Sequence, residues 1–129
     1  MATGLPAVTG DVLTAATFNG LVTFTVGAAQ TADYTAVLAD AYQVLEIMNK
    51  ATAIAFKIPT DASVAFPVGT ALTVLNIGVG TCTISAVTPG TTTVLSAGAV
   101  AASPTLAQYK TAVCIKTGAN AWYVVGAIA

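Results

Sequence analysis

Polar and apolar positions alternate with a period of two over most of this chain, the spacing of strands that turn one face inward. Ile54, Phe56 and Ile58 oppose Ala53, Ala55 and Lys57, while Leu45 and Ile47 oppose Val44, Glu46 and Met48. From Thr31 onward the pattern predicts strands at Tyr34 to Leu38, Tyr42 to Met48, Ala53 to Ile58, Ala71 to Ile77, Thr81 to Val87, Thr92 to Ser96, Tyr109 to Lys116 and Ala121 to Ile128. Turn residues separate nearly all of them. Phe66-Pro67-Val68-Gly69 fits a type I turn with Pro second and Gly fourth, and Pro89-Gly90 fits the central pair of a type II turn. Thr117-Gly118-Ala119-Asn120 closes a C-terminal hairpin. Eight or nine short strands at this spacing predict an all-β domain over residues 31–129, a β-sandwich or jelly-roll-like barrel.

The first thirty residues read differently, as an N-terminal arm. Pro6 fixes its own φ and biases Leu5 away from helix, so Leu5 to Gly10 is expected to be extended. Thr14 then offers an N-cap, residues 15–19 about one helical turn, and Gly20 a left-handed C-cap. Leu21 to Val26 alternates as a strand, and Gly27 to Gln30 is expected to break it. Val12, Leu13, Phe18, Leu21 and Phe24 are apolar residues on an element too short to bury them alone, which makes them candidate anchors to a partner. The competing reading makes this segment one more strand of the sandwich.

Two of the predicted strands are apolar on both sides: Leu72 and Val74 face opposite to Leu75 and Ile77, and Trp122 and Val124 opposite to Tyr123 and Val125. A strand with two apolar faces needs two covers, either its own loops and second sheet or a neighbouring subunit. Charge sharpens the question. Charged residues are 7% of the chain, hydrophobic residues 56%, and no charge occurs between Asp61 and Lys110, whereas ordinary domains carry about a quarter charged residues. Thr, Gly and Pro interrupt that charge-free run, so it is not a membrane helix. With 129 residues, one domain can bury a core without disulfides or metal.

Composition also narrows the chemistry. Four lysines, no arginine and a net charge of −1 offer no basic stripe for phosphates, so no nucleic acid partner is expected. The N-terminus lacks the positive region of a signal peptide, and the aromatics are too dispersed for the girdles of a lipid-facing barrel. No membrane partner is expected. Without histidine the usual Ser and Cys triads and standard zinc sites are gone, and no cofactor or metal is expected. A Ser-Lys dyad has residue types but no motif. Asp11, Asp33, Asp40, Glu46 and Asp61 read as solvated turn carboxylates rather than a glycosidase pair. Gly78-Val79-Gly80 lacks the third glycine and following helix of a phosphate loop and reads as a tight turn. Glu46 with Lys57 or Lys116 and Asn120 supplies the residue types of a self-formed isopeptide link, without a spacing that requires one. Cys82 and Cys114 fall within strands, as an inter-strand disulfide or as two small buried hydrophobes. The chain reads as non-enzymatic.

An ordered series of segments carries a resemblance: Tyr42 to Asn49, Ala53 to Pro59, Phe66-Pro67-Val68-Gly69-Thr70, Val74 to Gly80, Thr83-Ile84, Tyr109, Ala112, Ile115-Lys116 and Trp122-Tyr123-Val124-Val125-Gly126. Over residues 31–129 it resembles a β domain of tailed-bacteriophage virion proteins, found in capsid decoration proteins, head fibres and tail-fibre tips. The resemblance implies a structural protein made in the host cytoplasm and built into the virion. It further implies a homotrimer whose other partner is the major capsid protein or another virion protein. Asp11 to Thr14, Phe18-Asn19 and Leu21 resemble the opening of virion appendage proteins, where the N-terminus docks on the particle. One arm and one domain, with no fibrous shaft, fit a capsid decoration or head-fibre subunit. The runner-up is a receptor-binding module of a tail fibre or tail tip.

Overall fold

The computed structural model describes residues 23–96 and 103–128. Within them the alternation becomes burial on one side of each strand: Ile54, Phe56 and Ile58 of one strand, Leu72 and Val74 of another, and Trp122 and Val124 of the last are all buried. In chain order the strands are β1 (Thr25–Gln30), β2 (Tyr34–Thr35), β3 (Val44–Met48), β4 (Ile54–Ile58), β5 (Ala71–Asn76), β6 (Cys82–Ala86), β7 (Thr93–Ser96), β8 (Thr105–Leu106), β9 (Lys110–Gly118) and β10 (Ala121–Gly126). A single 3-10 turn, Leu38–Ala41, lies between β2 and β3.

Two sheets pack as a sandwich. One has six strands in the order β1-β3-β5-β9-β10-β7, the other four in the order β2-β4-β6-β8. Up to β6 the chain winds like a coil, giving each sheet one strand in turn. The pairs β1/β3, β3/β5, β2/β4 and β4/β6 are therefore parallel. The remaining strands close one end of this coil. β9 runs antiparallel to β5 and β8 antiparallel to β6, then β10 pairs antiparallel with β9 and parallel with β7. The expected sandwich is present, and its parallel pairings set it apart from a jelly roll, whose strands are antiparallel.

The facing sides of the sheets form one core, including Met48, Phe56, Ile58, Leu72, Ile84, Leu106 and Val124. Phe66 meets Trp122 edge to face, ring centroids 5.5 Å apart. Burial of such side chains stabilises the fold at roughly 25 cal/mol per Å² of apolar area. One polar residue sits inside by using all it offers. Asn76, fully buried, donates from Nδ2 to the carbonyls of Gly80 and Leu106, both at 2.9 Å, and its Oδ1 accepts the Gly78 N–H at 3.0 Å. It thereby ties the Gly78 to Gly80 turn to β8. That turn stacks on the preceding connection, with the Gly80 N–H donating to the Lys50 carbonyl at 2.9 Å. A Cβ on Gly80 would overlap the Thr52 backbone, so these glycines serve close stacking of successive coil turns.

Several local expectations shift. β1 occupies Thr25–Gln30 rather than Leu21 to Val26, because Gly27, Ala28 and Ala29 do not break the strand but carry it past β3 through a register shift. The strand expected to run to Leu38 ends at Thr35, where the Asp40 carboxylate accepts the Val37 N–H at 2.9 Å and nucleates the 3-10 turn. The turn near Pro67 spans Pro67 to Thr70, closed by Thr70 N–H to Pro67 carbonyl at 3.1 Å; Gly69 is its third residue at φ +93°, as type II geometry requires. At Pro89-Gly90 the central pair is correct, but Gly90 lacks the positive φ of a type II turn. The C-terminal hairpin is present, with Asn120 at φ 50° and a register shift beside Ala121. β8 is too short to show alternation in sequence. The helical turn expected at Thr14 to Gly20 lies outside the described residues.

Candidate functional site

The strongest feature for function is a surface, the outer side of the six-stranded sheet. Pairing registers fix its rows: Val26, Leu45, Thr73, Val113 and Val125 lie side by side across five strands. A second row runs Ala71, Ile115, Tyr123 and Leu95, and a third Ile47, Leu75 and Thr111. All are outward because their strand neighbours Glu46, Leu72, Val74, Ala112, Cys114, Trp122 and Val124 are buried inward. Val26, Tyr123 and Val125 are 68%, 46% and 47% exposed. The charged residues of these strands, Glu46, Lys110 and Lys116, all stand at inward parity, opposite Val74, Asn76 and Trp122. The outer face therefore carries no charge. This is the second apolar side expected of β5 and β10; of the residues in its rows Ile47 is buried, and the others are half-buried or exposed.

The outer side of the four-stranded sheet has the opposite character. Thr35, Ala55, Lys57, Thr83, Ser85 and Thr105 occupy its outward positions, and Lys57 pairs with Asp33 at 3.8 Å. This is an ordinary solvated face.

Two polar clusters lie inside. Lys116, its side chain 4% exposed, donates from Nζ to Asp61 Oδ1 at 2.8 Å and to the Phe66 carbonyl at 2.6 Å. Asp61 Oδ2 accepts the Asn120 N–H at 3.0 Å, and Asn120 Oδ1 accepts the Asp61 N–H at 2.9 Å. The hydrogen bond from Lys116 holds the Asp61 carboxyl below its usual range. Thus Lys116 and Asn120 do gather around a carboxylate, but it is Asp61, not Glu46. The group is a clamp between the Asp61 loop, the Phe66 loop and the β9–β10 hairpin, so Asp61 is not a free turn carboxylate. The second cluster is Tyr34, Asp40 and Glu46. Tyr34 donates to Asp40 Oδ2 at 2.7 Å, and both carboxylates are buried, at 5% and 2% exposure. Asp40 and Glu46 also depart from the solvated reading. The signal for Glu46 was in the sequence, since it shares parity with Met48, a core residue.

Nothing assembles these groups into a reaction centre among the described residues. No group of three or more metal-ligating side chains occurs there. A hollow of about 80 Å³ near Ser85, Pro89, Thr92 and Ser103 has no titratable lining, and ligand pockets usually need about 300 Å³ or more. Cys82 and Cys114 are buried and unpaired, one in each sheet, and burial pushes their thiols up to about 11 and about 12, which makes them unreactive. Among the described residues no helix is long and apolar enough to cross a membrane. Of the anchor residues, Phe24 is 57% exposed just ahead of β1. Val12, Leu13, Phe18 and Leu21 lie outside the described residues. Set against known proteins, the chain matches no family model, no curated protein and no solved structure.

Proposed function

We propose that this protein is a non-enzymatic structural subunit of a bacteriophage virion, a capsid decoration or head-fibre protein that forms homotrimers and attaches to the particle. The observation that carries the reading is the uncharged apolar outer face of the six-stranded sheet, which water would leave uncovered. Large exposed apolar patches mark interaction surfaces. Six strands about 4.8 Å apart and roughly five residues long span on the order of 500 Å², short of the ~800 Å² per partner of a standard stable interface. A subunit that also rests on a particle gains the missing contact, and repeated copies add avidity. The arm, with Val12, Leu13, Phe18, Leu21 and Phe24, is the proposed second contact, against the major capsid protein or another virion protein.

The tail-tip alternative asks for an exposed aromatic or polar cluster on the distal loops. The most exposed loop tyrosines, Tyr42 and Tyr109, instead sit at opposite ends of the six-stranded sheet, one leading into β3 and the other beside Asn76 at the end of β5. Light scattering on the gel-filtered protein tests the assembly reading, with a trimer expected at micromolar concentration. A monodisperse monomer that also fails to bind emptied capsids overturns it. Deleting residues 1–22 tests the arm: capsid binding is expected to be lost while the domain stays folded.

A further inference from the structure

We propose that Asp40 and Glu46 share one buried proton, and that its loss as pH rises loosens a latch made of β1 and the 3-10 turn while the rest of the sandwich stays closed. This stands on geometry independent of the assembly reading. Glu46 Oε2 is buried without any hydrogen-bond donor. Asp40 Oδ2, in contrast, accepts two donors, the Tyr34 hydroxyl at 2.7 Å and the Val37 N–H at 2.9 Å. Donors favour the charged form of a carboxyl and their absence favours the neutral form. The proton therefore belongs on Glu46, the carboxyl whose Oε2 has no donor. A protonated Glu46 becomes a donor, and the neighbouring Asp40 carboxylate is the acceptor available to it.

Every element around the pair agrees. β2 presents Tyr34, the 3-10 turn presents Asp40, and β1 and β5, which flank β3, contain no titratable residue. Among the described residues neither ion pair involves Glu46 or Asp40: Lys116 is bonded to Asp61, and Lys57 is paired with Asp33. Burial, with the adjoining Asp40 carboxylate, pushes the Glu46 carboxyl up to about 8 from its ordinary 4.5, and burial with the bond to Asp40 pushes the Tyr34 hydroxyl well above its usual range.

The edge is where a second charge acts. Gly27 of β1 lies over this carboxyl, where a Cβ would sit 3.4 Å from Glu46 Oε1. β3 is hydrogen-bonded on both sides, whereas among the described residues β1 has a strand partner on one side only. The 3-10 turn is held partly by Asp40 itself. Elements with few supports open before the core does. Opening the latch returns Glu46 to water and its ordinary pKa, so the opening constant rises about tenfold per pH unit between the two pKa values and levels off above the higher one.

Hydrogen exchange followed by NMR, corrected for the intrinsic pH dependence of exchange, tests this between pH 5.5 and 9. The β1 and 3-10 amides are expected to show that rise and plateau, to be flat in Glu46→Gln, and to be less protected than β9 and β10 amides at every pH. The Glu46 side-chain carboxyl is expected to titrate near pH 8. The proposal fails if Glu46 titrates in the ordinary carboxylate range, if the slope persists in Glu46→Gln, or if β1 is as protected as β9 and β10. Should Glu46→Gln not fold, Asp40→Asn serves instead: its amide can donate to Glu46, so the Glu46 midpoint is expected to fall, and an unchanged midpoint overturns the sharing.

Discussion

The two outer faces of the sandwich are built by the same alternating strands and differ only in what stands at the outward positions. On the four-stranded sheet these are Thr35, Lys57, Thr83, Ser85 and Thr105, side chains that water satisfies. On the six-stranded sheet they are Leu45, Leu75, Val113, Ile115, Tyr123 and Val125, which water does not. Strand formation needs only that one side be apolar, so the second apolar side is surplus to folding the monomer. That surplus is the physical case for a partner.

The largest effect is expected from placing a charge in that surplus. Ile115→Lys, beside Tyr123 on the apolar face, should convert the proposed trimer to a species of 12.8 kDa by light scattering, with the fold retained by circular dichroism. Thr83→Lys on the opposite face should leave the oligomer intact. Equal behaviour of the two variants would break the comparison.

Between the faces the effects should fall on stability instead of assembly. Asp61→Ala leaves the buried Lys116 ammonium without its carboxylate and should cost about 3 kcal/mol in denaturant unfolding. Because the Asp61 pKa is lowered in the fold, its contribution is present above the ordinary carboxylate range and is lost as pH falls through the folded value. Glu46 has the opposite sign. Its raised pKa means that the folded state holds a proton the unfolded chain releases, so stability falls as pH rises from 4.5 to about 8 and then levels. Glu46→Gln removes that slope and should be more stable than wild type by about 4 kcal/mol at pH 8 and by less than about 1 kcal/mol at pH 5; denaturant midpoints at the two pH values check it. The smallest effect belongs to the solvated face. Lys57 and Asp33 are 39% and 54% exposed, and Lys57→Ala should change stability by about 0.3 kcal/mol.

Much of this was legible in the residues. Ile54, Phe56 and Ile58 point inward as their alternation required, and β5 and β10 are apolar on both sides as read. What failed was local chemistry that depends on distant partners. Gly27 to Gln30 looks like a break, yet it is a strand because β3 offers it a ladder. Asp61 looks like a turn carboxylate, yet Lys116, far along the chain, donates to it. Asp40 and Glu46 are close in sequence, but only the 3-10 turn folds one back over the other.

The chain alone determined that this is an all-β protein, which side of most strands is apolar, and that charge is nearly absent from it, because each follows from side-chain type at period two. Tertiary structure decided the rest. Whether successive strands form hairpins or alternate between two sheets depends on which edges meet, a non-local choice that leaves the alternation unchanged. The same choice set Leu45, Val113 and Val125 in one row, and turned two apolar strand faces into one continuous uncharged surface.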